Sequence, residues 1–529
     1  MGDGVSTPFD GLNVWRALAA RAAAQPDDDF LVWVPDDGPE RRWTYLEFEQ
    51  VALKVANGLA GRGVRPGDRV IIHLENCPEF LLTWFACAAM GAVAVTTNPR
   101  ASAVEFAYFA EHSAAVGVVT QPRLLGMVGS AGPGWAVAVA ADPVGAERSD
   151  VTVAAPESFS SLLVDGPGPV IGASRPGDLM NVLYTSGTTS RPKGVRWTHA
   201  NALWGGRVSA LHEGLTRRDV HLVYLPLFHL NGMCCQVLAT LAVGGTAVLV
   251  PKWSTSRFWQ TSLAHGCTWL PLVPFTTQAL RGMDSHPHST YRAFSARAVD
   301  SELARRFGVR MDGWFGMTET VTQVVHSDPW GSAPTGAIGR AALEYGIRVA
   351  LPDGAPAEPG EAGQLLVGGR PGLSLFAGYL DDDVATAAAF GPDGWFRTGD
   401  VVRQDEDGVI RYVERLNDII KVGGENVAPA EIEQVIAGLD GVAEVAVVSR
   451  PHPMLDEVPV AFVTLHAPQP GVEARVLELC EERLASYKTP RAVFVVDALP
   501  KTTIGKVRKV ALRAQAIELS AAVPSEAVR

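Results

Sequence analysis

The sequence predicts an α/β protein with a large N-terminal unit of several α/β subdomains and a small α+β unit at the C-terminus. Three observations lead there. A chain of 529 residues is too long for one simple core. Through roughly residue 400, short β-rich runs alternate with helical patterns, the order that builds layers around buried sheets. The last hundred or so residues then change to a compact run of helix, two strands, helix and strand.

Each element follows from local pattern. Val70–Leu74 reads as a strand and Glu79–Met90 as a helix. The long apolar run from Phe80 to Val95 is interrupted by Gly91, and the part before it is too short to span a bilayer. A helix ending at Gly91, followed by a buried strand Ala92–Val95, is the reading adopted. Thr246–Val250 is a further buried strand. In the small unit Pro429 opens a helix whose face carries Ile432, Val435, Ile436 and Leu439. Strands follow at Val442–Val448 and Val460–Leu465, then a helix from Val472 to Leu484 and a strand from Ala492 to Val496. The boundary falls in Arg415-Leu-Asn-Asp418, before the strand-like Ile419-Ile-Lys421, giving units 1–416 and 417–529.

Composition bounds the function. Apolar residues make up 47% and charged residues 19%, as in a soluble globular protein. A net charge of −12 argues against a general nucleic-acid surface. Six cysteines show no zinc-like spacing, and the adjacent Cys234 and Cys235 are badly placed for an ordinary disulfide. All six are read as reduced packing residues of a cytoplasmic protein. The first ten residues lack a basic region and an apolar core, so neither a signal peptide nor a stable membrane anchor is expected.

The most informative segment is Tyr184-Thr-Ser-Gly-Thr-Thr-Ser-Arg-Pro-Lys-Gly-Val195, with five Ser/Thr hydroxyls, two glycines and a lysine. Such a loop can offer backbone N–H groups, hydroxyls and a cation to a phosphate chain. It is not a Walker A loop, because no Gly-Lys-Ser/Thr ends it. The whole string resembles the phosphate loop of the adenylate-forming superfamily, which includes acyl-CoA synthetases, firefly luciferase and nonribosomal peptide adenylation domains. Thr185, Ser186, Gly187, Thr188, Thr189 and Lys193 match its pattern, with Ser190 where glycine is usual. Thr198-His-Ala-Asn201 follows at the family's spacing.

The family's other motifs follow in order. Leu225-Pro-Leu-Phe-His-Leu-Asn-Gly232 resembles the segment whose aromatic residue gates the acyl pocket, here His229. Trp314-Phe-Gly-Met-Thr-Glu-Thr320 resembles the adenine and magnesium motif. That resemblance implies that Phe315 stacks on adenine beside Gly316, Thr318 contacts the α-phosphate and Glu319 binds Mg²⁺, a hard ion suited to a carboxylate. Gly394-Trp-Phe-Arg-Thr-Gly-Asp400 resembles the ribose motif, with Asp400 accepting from the ribose hydroxyls and Arg415 reaching the ribose or phosphate. Asn417 occupies the family's hinge position. Lys421-Val-Gly-Gly-Glu-Asn-Val427 resembles the loop that lines the pantetheine channel, which brings Lys421, Gly423, Gly424 and Asn426 into the site. Its form is similar to that of carnitine/crotonobetaine-type and related bacterial acyl-CoA ligases. Leu499-Pro-Lys-Thr-Thr-Ile-Gly-Lys506 resembles the C-terminal motif of the catalytic lysine, here Lys506, while Arg508, Lys509 and Arg513 read as a solvated basic helix.

The resemblance therefore implies a mobile C-terminal domain and a ligase using ATP, Mg²⁺ and coenzyme A. The carboxylate attacks the α-phosphorus of ATP, and CoA then takes the acyl group and releases AMP. Lys506, His229, Thr188 and Glu319 are the catalytic candidates. The acid pocket is expected from His229, Asn231, Cys235, Val273, Phe275, Arg297, Gly316 and Val321. That set is mostly apolar and suits a hydrophobic acid. One departure stands out: Phe294-Ser-Ala-Arg-Ala-Val299 lacks the family's glycine-rich turn and carries Arg297 where a small residue is expected. Arg297 can enter the pocket, crowd adenine and weaken the first half-reaction, or turn to solvent. Two alternatives are carried forward: a ligase acting mainly on preformed acyl-adenylate, and an adenylation enzyme that loads a carrier protein.

Overall fold

Helix Pro78–Met90 shows how the large unit is built. Twelve of its thirteen residues are buried, so it is apolar all round and belongs at the centre. Proline opens it, and Gly91 closes it at φ 77°, a conformation glycine adopts without cost. The strand Val93–Thr96 follows directly, fully buried.

The computed structural model describes residues 7–130, 133–143, 158–166, 172–185, 191–328, 333–415, 420–500 and 507–521. Among the described residues the strands form four sheets. A six-stranded sheet runs Ala136–Ala138, Gly117–Thr120, Arg69–Ile72, Val93–Thr96, Leu179–Thr185 and Lys193–Thr198. Its pairs are parallel except the last, a hairpin that brackets the expected phosphate loop. A nine-stranded sheet has a parallel centre and antiparallel additions at both edges. One of those additions is the hairpin of Arg310–Gly316 with Gln323–His326. Helices Tyr45–Gly61, Pro78–Met90 and His199–His212 contribute to the principal core that joins these layers. A four-stranded antiparallel sheet spans Gly346–Arg415.

The fourth sheet belongs to the small C-terminal unit. Ile420–Val422, Glu425–Val427, Asp456–Leu465, Val442–His452 and Val493–Val495 form it. Helices Pro429–Ala437 and Val472–Arg483 cover one face, where Ile432, Ile436, Val472, Val476 and Cys480 are buried together. Helix Lys509–Ala521 covers the other with Leu512 and Ala516. One expectation changes here. Lys509 is not simply solvated: its ammonium donates to Glu433 Oε1 at 2.7 Å, tying the last helix to Pro429–Ala437. All six cysteines are buried free thiols. No helix among the described residues is long and apolar enough to cross a membrane.

Candidate active site

The phosphate-loop hairpin pairs Thr185 with Lys193 at its mouth. Ser186, Gly187, Thr188 and Thr189, between them, lie outside the described residues. Immediately after the hairpin, Thr198 caps helix His199–His212. It accepts from Asn201 N–H at 3.0 Å, and the Asn201 side chain reciprocates to the Thr198 backbone. The Asn201 amide also donates to the carbonyls of Leu373 and Leu375, so this motif anchors the loop's base.

Lys193 projects toward the ring of Tyr379, its ammonium 4.7 Å from the centroid. The Tyr379 hydroxyl donates to Glu319 Oε1 at 2.9 Å. The loop lysine and the expected magnesium carboxylate thus converge on one tyrosine. Glu319 sits on the turn between Arg310–Gly316 and Gln323–His326, and it is buried. Three contacts fix this turn. Trp197 Nε1 donates to Thr318 O at 2.9 Å, Tyr345 hydroxyl to Thr320 O at 3.1 Å, and Cys234 Sγ to Val321 O at 3.4 Å. Val321 is held at φ 67°, strained for a β-branched residue. A side chain at Gly316 would lie 2.4 Å from Thr322 O, so only glycine allows the hairpin to close there. A buried, positioned carboxylate oxygen is the donor type that Mg²⁺ takes.

Asp400 and Arg415, fifteen residues apart in sequence, stand opposite each other across the hairpin of Phe396–Gln404 and Ile410–Arg415. Asp400 is buried and accepts from the Tyr412 hydroxyl at 3.1 Å. Arg297 does not turn to solvent. Its guanidinium lies 3.8 Å from the Tyr412 ring centroid, over the ring whose hydroxyl holds Asp400. It lines a cleft of 930 Å³ together with Val273, Ala296, Asp300, His452 and Asp456, so both units supply its walls.

Two of the residues expected at the acid pocket reach the cleft. Val273 and Arg297 line this cleft, whereas His229, Asn231, Cys235, Phe275, Gly316 and Val321 are not among its walls. Cys235 and Val321 are buried in the main core. Asn231 opens a π-helix, Asn231–Leu238, and places Cys234 against the Glu319 turn. His229 is drawn to the C-terminal unit: its Nε2 is 2.9 Å from Glu425 Oε2.

That contact comes from the Gly-Gly loop. Gly423 and Gly424 have φ 58° and 91°, and they turn Ile420–Val422 back into Glu425–Val427. Lys421 and Asn426 face each other at the loop's base. The buried Glu425 carboxylate also accepts from Arg100. Burial would raise its pKa, but His229 and Arg100 outweigh that and hold it at about 2. Arg100 lies over the ring of Tyr487 at 5.1 Å. Beside it, the buried Lys488 ammonium bonds Glu431 at 2.8 Å and Glu105 of the large unit. Burial opposes its charge, but Tyr487, Glu105 and Glu431 raise its pKa, and it remains an ammonium.

Asn417 and Lys506 lie outside the described residues. Sequence reasoning missed Arg100, Tyr379, Tyr412, Glu425 and Lys488. Glu425 stood inside the quoted Gly-Gly-Glu-Asn string and Tyr412 three residues before Arg415, so position alone signalled those two.

Comparison with known proteins identifies the family. The family model of AMP-binding enzymes matches residues 18–380, and that of the AMP-binding enzyme C-terminal domain matches 431–506. A crotonobetaine/carnitine–CoA ligase of Salmonella paratyphi A is 31% identical over 513 residues, covering 94% of this chain and 98% of the relative. Its counterpart in Escherichia coli O157:H7 is 32% identical over 492 residues, covering 90% and 94%. Among solved structures, a double mutant of o-succinylbenzoate CoA synthetase from Bacillus subtilis, bound to a product analogue, gives a TM-score of 0.82 at 28% identity, covering 95% of this chain and 98% of that one. The same synthetase in complex with AMP gives 0.66 at the same identity and coverage. The chain belongs to the AMP-binding enzyme family and is an acyl-CoA ligase, which converts a carboxylic acid with ATP to an acyl-adenylate and then, with coenzyme A, to the thioester.

Proposed function

We propose that this ligase acts on a hydrophobic carboxylic acid of medium or bulky size, and that the structure represents its thioester-forming orientation. The observation that carries the orientation is the Glu425 bridge to His229 and Arg100, which joins the Gly-Gly loop to the large unit. The higher similarity to the product-analogue complex than to the AMP complex supports it. The mostly apolar residues at the positions expected to line the acid site, Cys235, Val273, Phe275 and Val321 among them, support a hydrophobic acid. The boundary at 416/417, the hinge at Asn417 and a cytoplasmic setting belong to the same proposal, the last supported by the six free thiols.

In the first half-reaction the loop from Thr185 to Thr189, with Lys193, holds the β- and γ-phosphates, and Thr318 meets the α-phosphate. Phe315 stacks on adenine, while Asp400 and Arg415 take the ribose. Glu319 would hold Mg²⁺, which when bound neutralises charge on the phosphates. Lys506 bridges the substrate carboxylate and the α-phosphate. The carboxylate oxygen attacks phosphorus and pyrophosphate leaves, so catalysis rests on positioning and charge stabilisation. The C-terminal unit then turns about Asn417. Gly423 and Gly424 border the path of the CoA arm, and Glu425 draws His229 toward the small unit. The thiol loses its proton to solvent and its sulfur attacks the acyl carbon. A C–S bond forms, the C–O bond to phosphate breaks, and AMP leaves.

A panel of aliphatic, aromatic and polar carboxylic acids tests the substrate class, scored for pyrophosphate release and for acyl-CoA by mass. A preference for small dicarboxylic or cationic acids would overturn the hydrophobic reading. Acyl transfer to a carrier protein but not to CoA would overturn the choice of thiol.

The stacking of Arg297 on Tyr412 favours one variation, a ligase with a restrained first half-reaction. The guanidinium occupies the face of a ring that supports the ribose carboxylate, and ATP must compete with it there. Replacing Arg297 by glycine removes a cation–π contact of about 1 kcal/mol. ATP–pyrophosphate exchange should then rise about fivefold at limiting ATP, while CoA transfer from preformed adenylate changes little. Vigorous native exchange that the substitution leaves unchanged would refute this restraint.

A further inference from the structure

Away from the nucleotide motifs, three buried side chains from three elements converge on one point. Glu213 caps the C-terminal end of helix His199–His212, Asp312 lies on the strand Arg310–Gly316, and His326 ends the strand Gln323–His326. One oxygen of each carboxylate and one imidazole nitrogen all lie within 4.8 Å of one another. All three residues are more than nine-tenths buried.

The second atom of each group is already engaged. Glu213 Oε2 accepts from Trp269 Nε1 at 2.7 Å. Asp312 Oδ2 accepts from Arg310 at 2.8 Å. His326 Nδ1 is 2.7 Å from Ser327 O, which makes Nδ1 a donor and leaves Nε2 to take either a proton or a metal. Of the three atoms left over, Glu213 Oε1 and His326 Nε2 are buried without a hydrogen-bond partner and face each other at 3.6 Å. That is too long for a hydrogen bond. It is close to the ligand–ligand edge of a tetrahedral site, about 3.4 Å for bonds of roughly 2.1 Å. Each ligand also has the outer hydrogen bond that orients metal-binding side chains.

We propose that Glu213, Asp312 and His326 bind a divalent transition metal of the zinc type, with water completing the tetrahedron. A mixed imidazole and carboxylate set suits zinc better than magnesium or calcium, which favour oxygen alone. The site is distinct from Glu319. The hairpin pairs Trp314 with His326 at one end and Gly316 with Gln323 near the other, and the Glu319 turn lies beyond Gln323. The ion would fasten helix His199–His212 to the root of the hairpin that presents Phe315, Thr318 and Glu319, and so serve positioning rather than the chemistry itself.

The test uses the full-length ligase without ATP or magnesium. After dialysis against a chelator it is loaded with Zn²⁺ or Co²⁺, passed over a desalting column and assayed for metal by mass spectrometry. One ion per chain is expected, with a rise in Tm on Zn²⁺ addition and visible d–d absorption with Co²⁺. His326→Gln and Glu213→Gln should lose both signals, while Glu319→Gln keeps them. Substoichiometric metal with no Tm change in the wild type would overturn the proposal and assign the cluster to a proton shared between His326 and Glu213. A thiolate charge-transfer band with Co²⁺ would overturn it too, by moving the ion to cysteine. Should both ligand variants fail to fold, the wild-type stoichiometry and Co²⁺ spectrum decide alone.

Discussion

Lys506→Ala is expected to lose adenylate formation by roughly 10²–10³-fold, the usual effect of removing one donor aimed at charge that develops in the transition state. The resemblance puts this lysine between the substrate carboxylate and the α-phosphate, where negative charge is shared between attacking and leaving oxygens. Thioester formation from synthetic acyl-adenylate has no such demand on Lys506. In the proposed orientation the small unit presents Glu425 to the large one, and the lysine motif lies on a later segment of that unit. Supplying the adenylate should therefore restore CoA transfer to within a few-fold of native. Single-turnover assays of both steps check this, and equal losses in the two would remove Lys506 from its role.

What the sequence revealed was local. The phosphate loop, the Phe315–Glu319 turn and the Gly-Gly loop are short strings, each closed by its own hairpin, and their residue types state their geometry. The buried helix before Gly91 was legible for the same reason: a continuous apolar run needs no distant partner to be recognised. What stayed hidden was pairing over long separation. His229 and Glu425 are 196 residues apart, and Lys488 and Glu105 are 383 apart. No periodicity couples such positions, and their contact exists only once the two units are packed together. Tyr379 escaped because a tyrosine in a turn-rich stretch has no pattern, although its hydroxyl holds Glu319. Lys509 was misjudged because helical basic residues usually face water, and its partner Glu433 lies on another helix. Cavity lining was equally out of reach, because motif position gives a residue's neighbours along the chain, and not the cavity its side chain enters.

Glu425→Gln should separate the two half-reactions in the opposite sense. The carboxylate is buried where the units meet, and its charge is matched by Arg100 and His229. An amide of the same shape keeps the packing and removes the charge. Hydrogen bonds to charged groups contribute about 1.5–3 kcal/mol. Arg100 is about half exposed, at 46% of its side chain, so solvent screens its share and the lower part of that range applies. About 2 kcal/mol lost from the thioester-forming orientation lowers CoA transfer from preformed adenylate about thirtyfold. Adenylate formation, which uses another orientation, should be spared or slightly raised. Acidity should mimic the substitution in the native enzyme. The pKa of Glu425 is depressed from 4.5 to about 2 in this orientation. Its contribution is therefore complete above pH 4.5 and fades as pH falls toward 2. Interdomain distance, followed by fluorescence transfer between labels on the two units, should show the orientation becoming less populated across that window. The Gln variant should show no such dependence, and native-like CoA transfer in that variant would mean that Glu425 does not hold the units together.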